Sequence, residues 1–438
     1  MESWVIVIII FSSLFLFLIF GLPIAFTMGG LATIYTFLFW NIKGTYVLVT
    51  TALGQLTSFV LIAVPLYIFL GVTLEKTGIA EDMYDTVYKW LGVIKGGLAV
   101  GTIFICAIFA AMVGTSSAGT ITMGLIALPS MLKRGYSKFL VVGSISAGGA
   151  LGILIPPSII MILYGSLTEV SVGKMFFGGL IPGIILTMIF IIYILVICKI
   201  KTNYGPSIPK GERFTFREKF VSLKNMIIPL GLVLLILGTI YTGICTPTES
   251  AAIGAFGTLI CAISMKKLNW SIFYEVGTRT IHITSFVMWI MVGAVVFSQL
   301  VIATGAGETI TKIVIGMNLN RWVILCIMQF IFMILGCLID PAGIMVLCCP
   351  VFVPIIINLG FDPLWFGVLF VVNMEMAYIT PPFGYNLFYM KAIVPKEITL
   401  ENIYQSIIPF VGLQLIALIL MMLFPEVILW LPNHMIVK

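Results

Sequence analysis

Gly152-Ile-Leu-Ile-Pro-Pro-Ser158 stands inside a long apolar stretch that otherwise reads as a membrane-spanning helix. Two consecutive prolines remove two backbone donors and crowd the preceding turn, so the helix must break there. A second pair lies in Tyr378-Ile-Thr-Pro-Pro-Phe-Gly384, 225 positions downstream. At that same offset Pro129 meets Pro354, Gly135 meets Gly360, Tyr136 meets Phe361 and Tyr164 meets Tyr389. The stretch 23–30 is similar to 247–254, shifted by 224, and Thr77-Gly78 matches Thr304-Gly305 at 227. An ordered series at nearly constant offset marks an internal repeat. The halves are 1–198 and 225–438, joined by 199–224.

Composition sets the environment. Of 438 residues, 61% are hydrophobic and 9% charged, with a mean hydropathy of +1.19. A water-soluble core needs far less apolar surface, so the chain reads as an all-α polytopic membrane protein embedded in a lipid bilayer. A β-barrel would show short alternating segments instead. Met1-Glu2-Ser3-Trp4 lacks a basic n-region, so the first apolar run is expected to remain as a helix. Eight cysteines, including the adjacent Cys348-Cys349, show no Cys-x-x-Cys spacing and read as small hydrophobes in helix packing. The net charge of +6 has no basic stripe with interleaved aromatics, which excludes a nucleic-acid partner. His282 and His434 are the only histidines, and neither a nucleophile–base pair, a P-loop nor a metal cluster stands out. No enzyme chemistry and no organic cofactor is expected, so energy must come from an ion gradient or a partner.

Charge fixes the expected topology. The polar stretch from Lys199 to Lys224 carries Lys199, Lys201, Lys210, Arg213, Arg217, Lys219 and Lys224 against Glu212 and Glu218, which makes it cytoplasmic. Spans are expected at 3–20, 24–41, 60–76, 138–165, 176–198, 225–244, 247–264, 281–303, 362–390 and 401–424. Segments 97–133 and 321–360 each have two apolar arms around a small or polar centre. Taken as re-entrant hairpins, they leave five crossings per half, and an odd count inverts the second half. With both termini outside, only Lys43, Lys174, Lys312, Arg321 and Lys438 face outward and all other Lys and Arg lie inside. The fold expected is an inverted repeat of five helices plus one hairpin per half. Two amphipathic stretches, Ile79 to Trp90 and Asn269 to Thr280, are expected to lie in the interface as braces.

The candidate site follows from the interruptions. The first hairpin's centre is Gly114-Thr-Ser-Ser-Ala-Gly-Thr120, and the second's is Ile339-Asp-Pro-Ala-Gly343. Irregular backbone at membrane depth is tolerated where protein or a polar cavity satisfies it. Broken helices present positive N-terminal ends to anions and free carbonyls to cations. Thr115, Ser116, Ser117 and Gly119 are therefore grouped with Gly152, Pro156, Pro157 and Ser158. Asp340, Pro341 and Gly343 are grouped with Thr380, Pro381, Pro382 and Asn386. Intramembrane acids are functional candidates by default. Asp340 reads as ion coordination or a brace for the tip, with a helix cap as the alternative. Glu375 is a possible supporting acid, and so is Glu249, which reads first as a cap. No Arg or Lys is assigned to the pocket, Lys174 being the nearest by topology.

The run from Gly114 to Pro129, then Lys133-Arg-Gly-Tyr136 and Ala147-Gly-Gly-Ala-Leu-Gly-Ile-Leu-Ile-Pro-Pro-Ser158, resembles the large membrane subunit of tripartite ATP-independent periplasmic (TRAP) transporters, the DctM-like family. Met374-Glu-Met-Ala-Tyr-Ile-Thr-Pro-Pro-Phe-Gly-Tyr-Asn-Leu387 and Cys245-Thr-Pro-Thr-Glu-Ser-Ala-Ala252 are similar to its second-half motifs. The resemblance implies sodium-coupled uptake of an organic acid across a bacterial inner membrane, with Na+ as coupling ion. It also implies a periplasmic binding protein (DctP-like) that delivers the substrate, and a small four-helix membrane subunit (DctQ-like), expected here as a separate polypeptide. The mechanism implied is an elevator, with the moving unit at about 95–170 and 320–392 sliding past a scaffold. On the resemblance, sodium falls to Thr115, Ser116, Ser117, Gly152 and Pro156, and to Asp340, Gly343, Thr380 and Pro382. The competing readings are a stand-alone transporter of similar design, and a membrane enzyme or assembly scaffold.

Overall fold

The computed structural model describes residues 3–209, 211 and 213–436; Met1, Glu2, Lys210, Glu212 and Lys438 of the preceding argument lie outside them. Among the described residues the regular structure is entirely helical. The first half contains α1 (Ser3–Ile19), α2 (Ile24–Leu56), α3 (Ala63–Lys76), α4 (Ile79–Leu91), α5 (Gly97–Val113), α6 (Ser116–Lys133), α7 (Lys138–Ala150), α8 (Ile159–Thr168) and α9 (Val172–Ile200). A short linker helix, α10 (Phe216–Ser222), leads to the second half. That half contains α11 (Lys224–Tyr241), α12 (Pro247–Ser264), α13 (Trp270–Ala303), α14 (Ala306–Gly316), α15 (Arg321–Gly336), α16 (Pro341–Asn358), α17 (Pro363–Tyr378), α18 (Tyr385–Ile393), α19 (Leu400–Leu423) and α20 (Glu426–Asn433).

The halves correspond element by element. α5–α6 and α15–α16 are the hairpins, and α7–α8 and α17–α18 are the two interrupted helices. Both Pro156-Pro157 and Pro381-Pro382 peptide bonds are cis, so the breaks share one backbone device. Among the described residues seven helices are long and apolar enough to cross a membrane, and the shorter apolar helices include both hairpins' first arms and α7, α8 and α17. α5, α7, α16 and α17 are buried along most of their length. α1, α2, α9, α11, α13 and α19 carry rows of exposed large hydrophobics, the surface expected to face lipid. α2 packs along α13 and α12 along α3, forming one body; α9 and α19 pack instead on the hairpins and broken helices.

Three features depart from the sequence expectation. The second span breaks at a kink at Asn41 (φ 57°, ψ −159°), where it was expected to end, but a further helical segment carries α2 on to Leu56. Asn269 to Thr280 is not a separate interfacial helix: it forms the first turns of α13, started by Asn269, whose side chain accepts from the Ile272 N–H at 2.8 Å. α14 is the repeat partner of α4, a relation already carried by Thr304-Gly305, although no element was expected over 306–316.

Candidate functional site

Each hairpin tip is a reversal that runs straight into a helix N-terminus. α5 ends at Gly114, whose φ of +67° suits a residue without a Cβ. Thr115 is extended, and α6 starts at Ser116. In the second hairpin Asp340 caps α16, its carboxylate accepting from the Gly343 N–H at 3.3 Å, with Pro341 at the first helical position. The breaks repeat the device. Ser158 caps α8 by accepting from the Met161 N–H at 3.4 Å, and its hydroxyl donates to the Ile153 carbonyl. Gly384 precedes α18. Four helix N-termini, each a partial positive charge with unpaired N–H groups, are thus provided by hairpins and breaks.

The first tip lies against the first break. A Cβ on Gly114 would stand 2.6 Å from the Pro157 carbonyl oxygen, and one on Gly152 would stand 2.5 Å from that of Thr115. The tip is also tied to the second break: Ser116 Oγ donates to Asn386 Oδ1 at 2.8 Å, and Asn386 Nδ2 donates to the Ser146 carbonyl at 3.2 Å. Beside this junction the buried Thr120 Oγ1 and Ser146 Oγ have no hydrogen-bond partner among the described residues. Hard oxygen atoms of this kind, with nearby carbonyls, are the donor set a sodium ion takes.

A cavity of about 360 Å³ opens where these parts converge. One wall holds Gly114 to Ala118, the start of α8, Asp340, and the ring-bearing residues Tyr378, Tyr385 and Tyr389. The opposite wall is α3 and α13, which contribute Ile68, Val72, Glu75, Arg279, Ile283 and Val287. Arg279 Nη1 donates to Glu75 Oε1 at 2.6 Å. The lining offers small hydroxyls, one cation paired with Glu75, a second carboxylate at Asp340 and an apolar surround, and with a cation at Asp340 it is able to bind a compact organic anion.

The profile describing the DctM component of the tripartite ATP-independent periplasmic transporter matches residues 11–427. The chain belongs to the DctM family. It is 33% identical over 376 residues to the C4-dicarboxylate TRAP transporter large permease protein DctM of Pseudomonas aeruginosa, covering 86% of each chain. It is 29% identical to the isethionate TRAP transporter permease protein DctMQ of Oleidesulfovibrio alaskensis, over 96% of this chain and 65% of that one. The solved structure of the Alcanivorax borkumensis YdaH transporter superposes with a TM-score of 0.66 at 14% identity, over 92% of this chain and 97% of that one, and shares the fold. This DctM-family chain is therefore a multi-pass membrane permease component, and the relatives it is similar to are transporter permeases.

Of the residues singled out from sequence, Thr115, Ser116, Ser117 and Asp340 line the cavity of this DctM-family chain. Gly119 lies against Gly149, and Gly152, Pro157, Ser158 and Asn386 support the first tip from behind. Pro156 precedes Pro157 within the first break. Gly343 packs on Ile24, Thr380 Oγ1 donates to the Met376 carbonyl at 2.7 Å, and Pro382, following Pro381, accepts from Tyr404 Oη at 2.8 Å. These four stand outside the cavity wall. Two acids also fall away from it. Glu249 closes a capping box with Thr246 at the start of α12. Glu375 is fully buried and accepts from Gln414 Nε2 at 3.3 Å, facing α19. Lys174 sits in the first turn of α9, so the cation of the cavity is Arg279 and not Lys174. Arg279 and Glu75 were missed because their helices looked like scaffold. Arg279 lies just before a predicted span, and that position is the one sequence signal that could have flagged it.

Proposed function

We propose that this chain is the large permease subunit of a sodium-coupled TRAP system that imports an organic acid anion by an elevator movement. The observation that carries the reading is the junction of tip, break and unpartnered oxygens. Thr115, Ser116, Thr120, Ser146 and nearby carbonyls would hold one sodium ion, as co-substrate, beneath the first tip. Asp340 with the second tip would serve a second. The anion would sit in the adjoining cavity on the helix N-termini of α6, α8 and α16. The acid would be a C4-dicarboxylate, a sialic acid or a related carboxylate, delivered by a periplasmic DctP-like protein, with a DctQ-like subunit beside this chain in the inner membrane.

The moving unit would comprise about 95–170 and 320–392, the cores of the halves 1–198 and 225–438 that the cytoplasmic stretch 199–224 joins. Packing argues that α9 and α19 travel with it. With both termini outside, Glu75 and Arg279 lie at the cytoplasmic ends of α3 and α13. The tips that share their cavity would then be in the inward-facing position. The test is reconstitution with the small subunit and binding protein. Asp340→Asn and Ser116→Ala should each weaken the sodium dependence of uptake while leaving the protein inserted and stable. Wild-type sodium dependence in both variants sinks the site, and full uptake without any binding protein sinks the TRAP assignment in favour of a stand-alone carrier.

A further inference from the structure

The cavity has two walls that belong to different bodies. Hairpins and breaks form one; the other is α3 and α13, which pack on α12 and α2. Arg279 is the single basic residue among the cavity's lining residues, and it stands on the second wall. A guanidinium has five donors in a planar fork suited to acid groups, and Glu75 engages it through Nη1. Glu75 is thus a carboxylate of the protein, held where an acid group of a ligand in this cavity would bind. The pair is not needed to clamp the helices together. Lys76–Glu275 on the same two helices and Lys267–Asp82 between α4 and the turn before α13 are ion pairs nearby, and Thr248 Oγ1 and Tyr67 Oη bond across the same body.

From this arrangement we infer that Arg279 is a stationary contact for the acid group of the substrate, carboxylate or sulfonate, taken in exchange with Glu75. The inference rests on the transport reading above. When the moving unit brings an anion to this level, the acid group displaces Glu75 from the guanidinium. When the anion leaves, Glu75 returns and neutralises the cation, so no fixed positive charge retains the product. The contact exists only in the position in which the tips face α3 and α13.

The test uses the permease purified with its small membrane subunit, carrying Ile283→Cys as a reporter one turn beyond Arg279 in the same cavity. Succinate and isethionate are titrated for protection of that thiol against a maleimide. Arg279→Gln is expected to raise the half-protecting concentration about tenfold or more, the loss of one charge-assisted bond. Arg279→Lys should fall between, and Glu75→Gln, which removes the internal competitor, should lower it severalfold. The double variant Glu75→Gln/Arg279→Gln separates binding from structure: both helices keep a hydrogen-bonding pair, so a purely structural role is restored. The inference requires protection to stay weak in that variant. Protection restored to the wild-type level there, Arg279→Gln indistinguishable from wild type, or protection by neither acid in the wild type overturns it. Repeating the wild-type titration with potassium in place of sodium tests the other reading. Protection indifferent to sodium sinks the sodium-coupled function while the variant series still decides the role of Arg279.

Discussion

Ser116 and Asn386 are 270 positions apart and share a hydrogen bond inside the membrane. Around that bond, glycines let the backbones of the first tip and the first break touch. At Gly152 any Cβ would meet both the carbonyl and the following nitrogen of Thr115-Ser116. Gly152→Ala is expected to destabilise the protein by about 1–3 kcal/mol through overpacking. It should also weaken sodium binding, because the atom displaced is a tip carbonyl. The measurement is the thermal midpoint in detergent, with and without sodium. Gly231→Ala, on a helix face with nothing within 4 Å, is the control and should be neutral or stabilising by up to about 1 kcal/mol. Equal midpoints for the two variants would remove the argument for contact at Gly152. The sequence marked Ser116, Asp340 and Asn386 because small polar residues beside a helix break are chemically conspicuous. It could not mark Glu75 and Arg279, whose meaning depends on which wall faces the tips. It read Glu249 first as a cap, which the capping box with Thr246 matches, and left Glu375 open, since an acid in an apolar run looks alike whether it meets a glutamine or lines a cavity.

Individual elements carry their own terminations, and these were legible to different degrees. Proline pairs, the Asp340-Pro341 start of α16 and the Thr246-Pro247 start of α12 are local signals that tertiary contacts do not overrule. Asp340→Ala removes a cap and should cost about 1 kcal/mol (range roughly 0.5–2), whereas Asp340→Asn keeps it. Comparing the two thermal midpoints separates the cap from the ion role, because only the cap is preserved in Asn. The linker held more structure than its composition promised. Thr215 and Glu218 form a capping box that starts α10. The end of α10 is then clasped by α4: Thr86 Oγ1 donates to the Ser222 carbonyl at 2.8 Å and Trp90 Nε1 to that of Lys219 at 3.0 Å. Those contacts join residues more than 120 positions apart and leave no periodic trace. Thr215→Ala should loosen α10 by about 1 kcal/mol, seen as faster amide exchange over 216–222 with exchange in α11 unchanged. Unchanged exchange over 216–222 would mean that the clasp alone holds the helix.

At the scale of the molecule, the repeat was the most legible property, because one offset generates every corresponding pair of elements. What the offset cannot give is which helices pack together. α9 and α19 are spans by composition, yet their packing joins them to the hairpins and broken helices. α11 belongs with α12 by the same criterion. One of the places where the two bodies touch is between Gly173 of α9 and Ile240 of α11, a Cβ on Gly173 lying 3.4 Å from Ile240 Cγ2. Ile240 Cβ is one bond, about 1.5 Å, from that Cγ2, so cysteines at the two positions come close enough to test for a disulfide, for which Cβ atoms need to be about 3.5–4.5 Å apart. On the proposed elevator reading, oxidising Gly173→Cys/Ile240→Cys joins the moving unit to the scaffold. Sodium-driven uptake should then fall to background and return on reduction, while each single variant transports under both conditions. Gel mobility after proteolysis in the 199–224 stretch reports the cross-link independently of function. Transport that continues in a fully cross-linked sample would show that α9 stays with the scaffold, and the moving unit would have to be redrawn to end near 170.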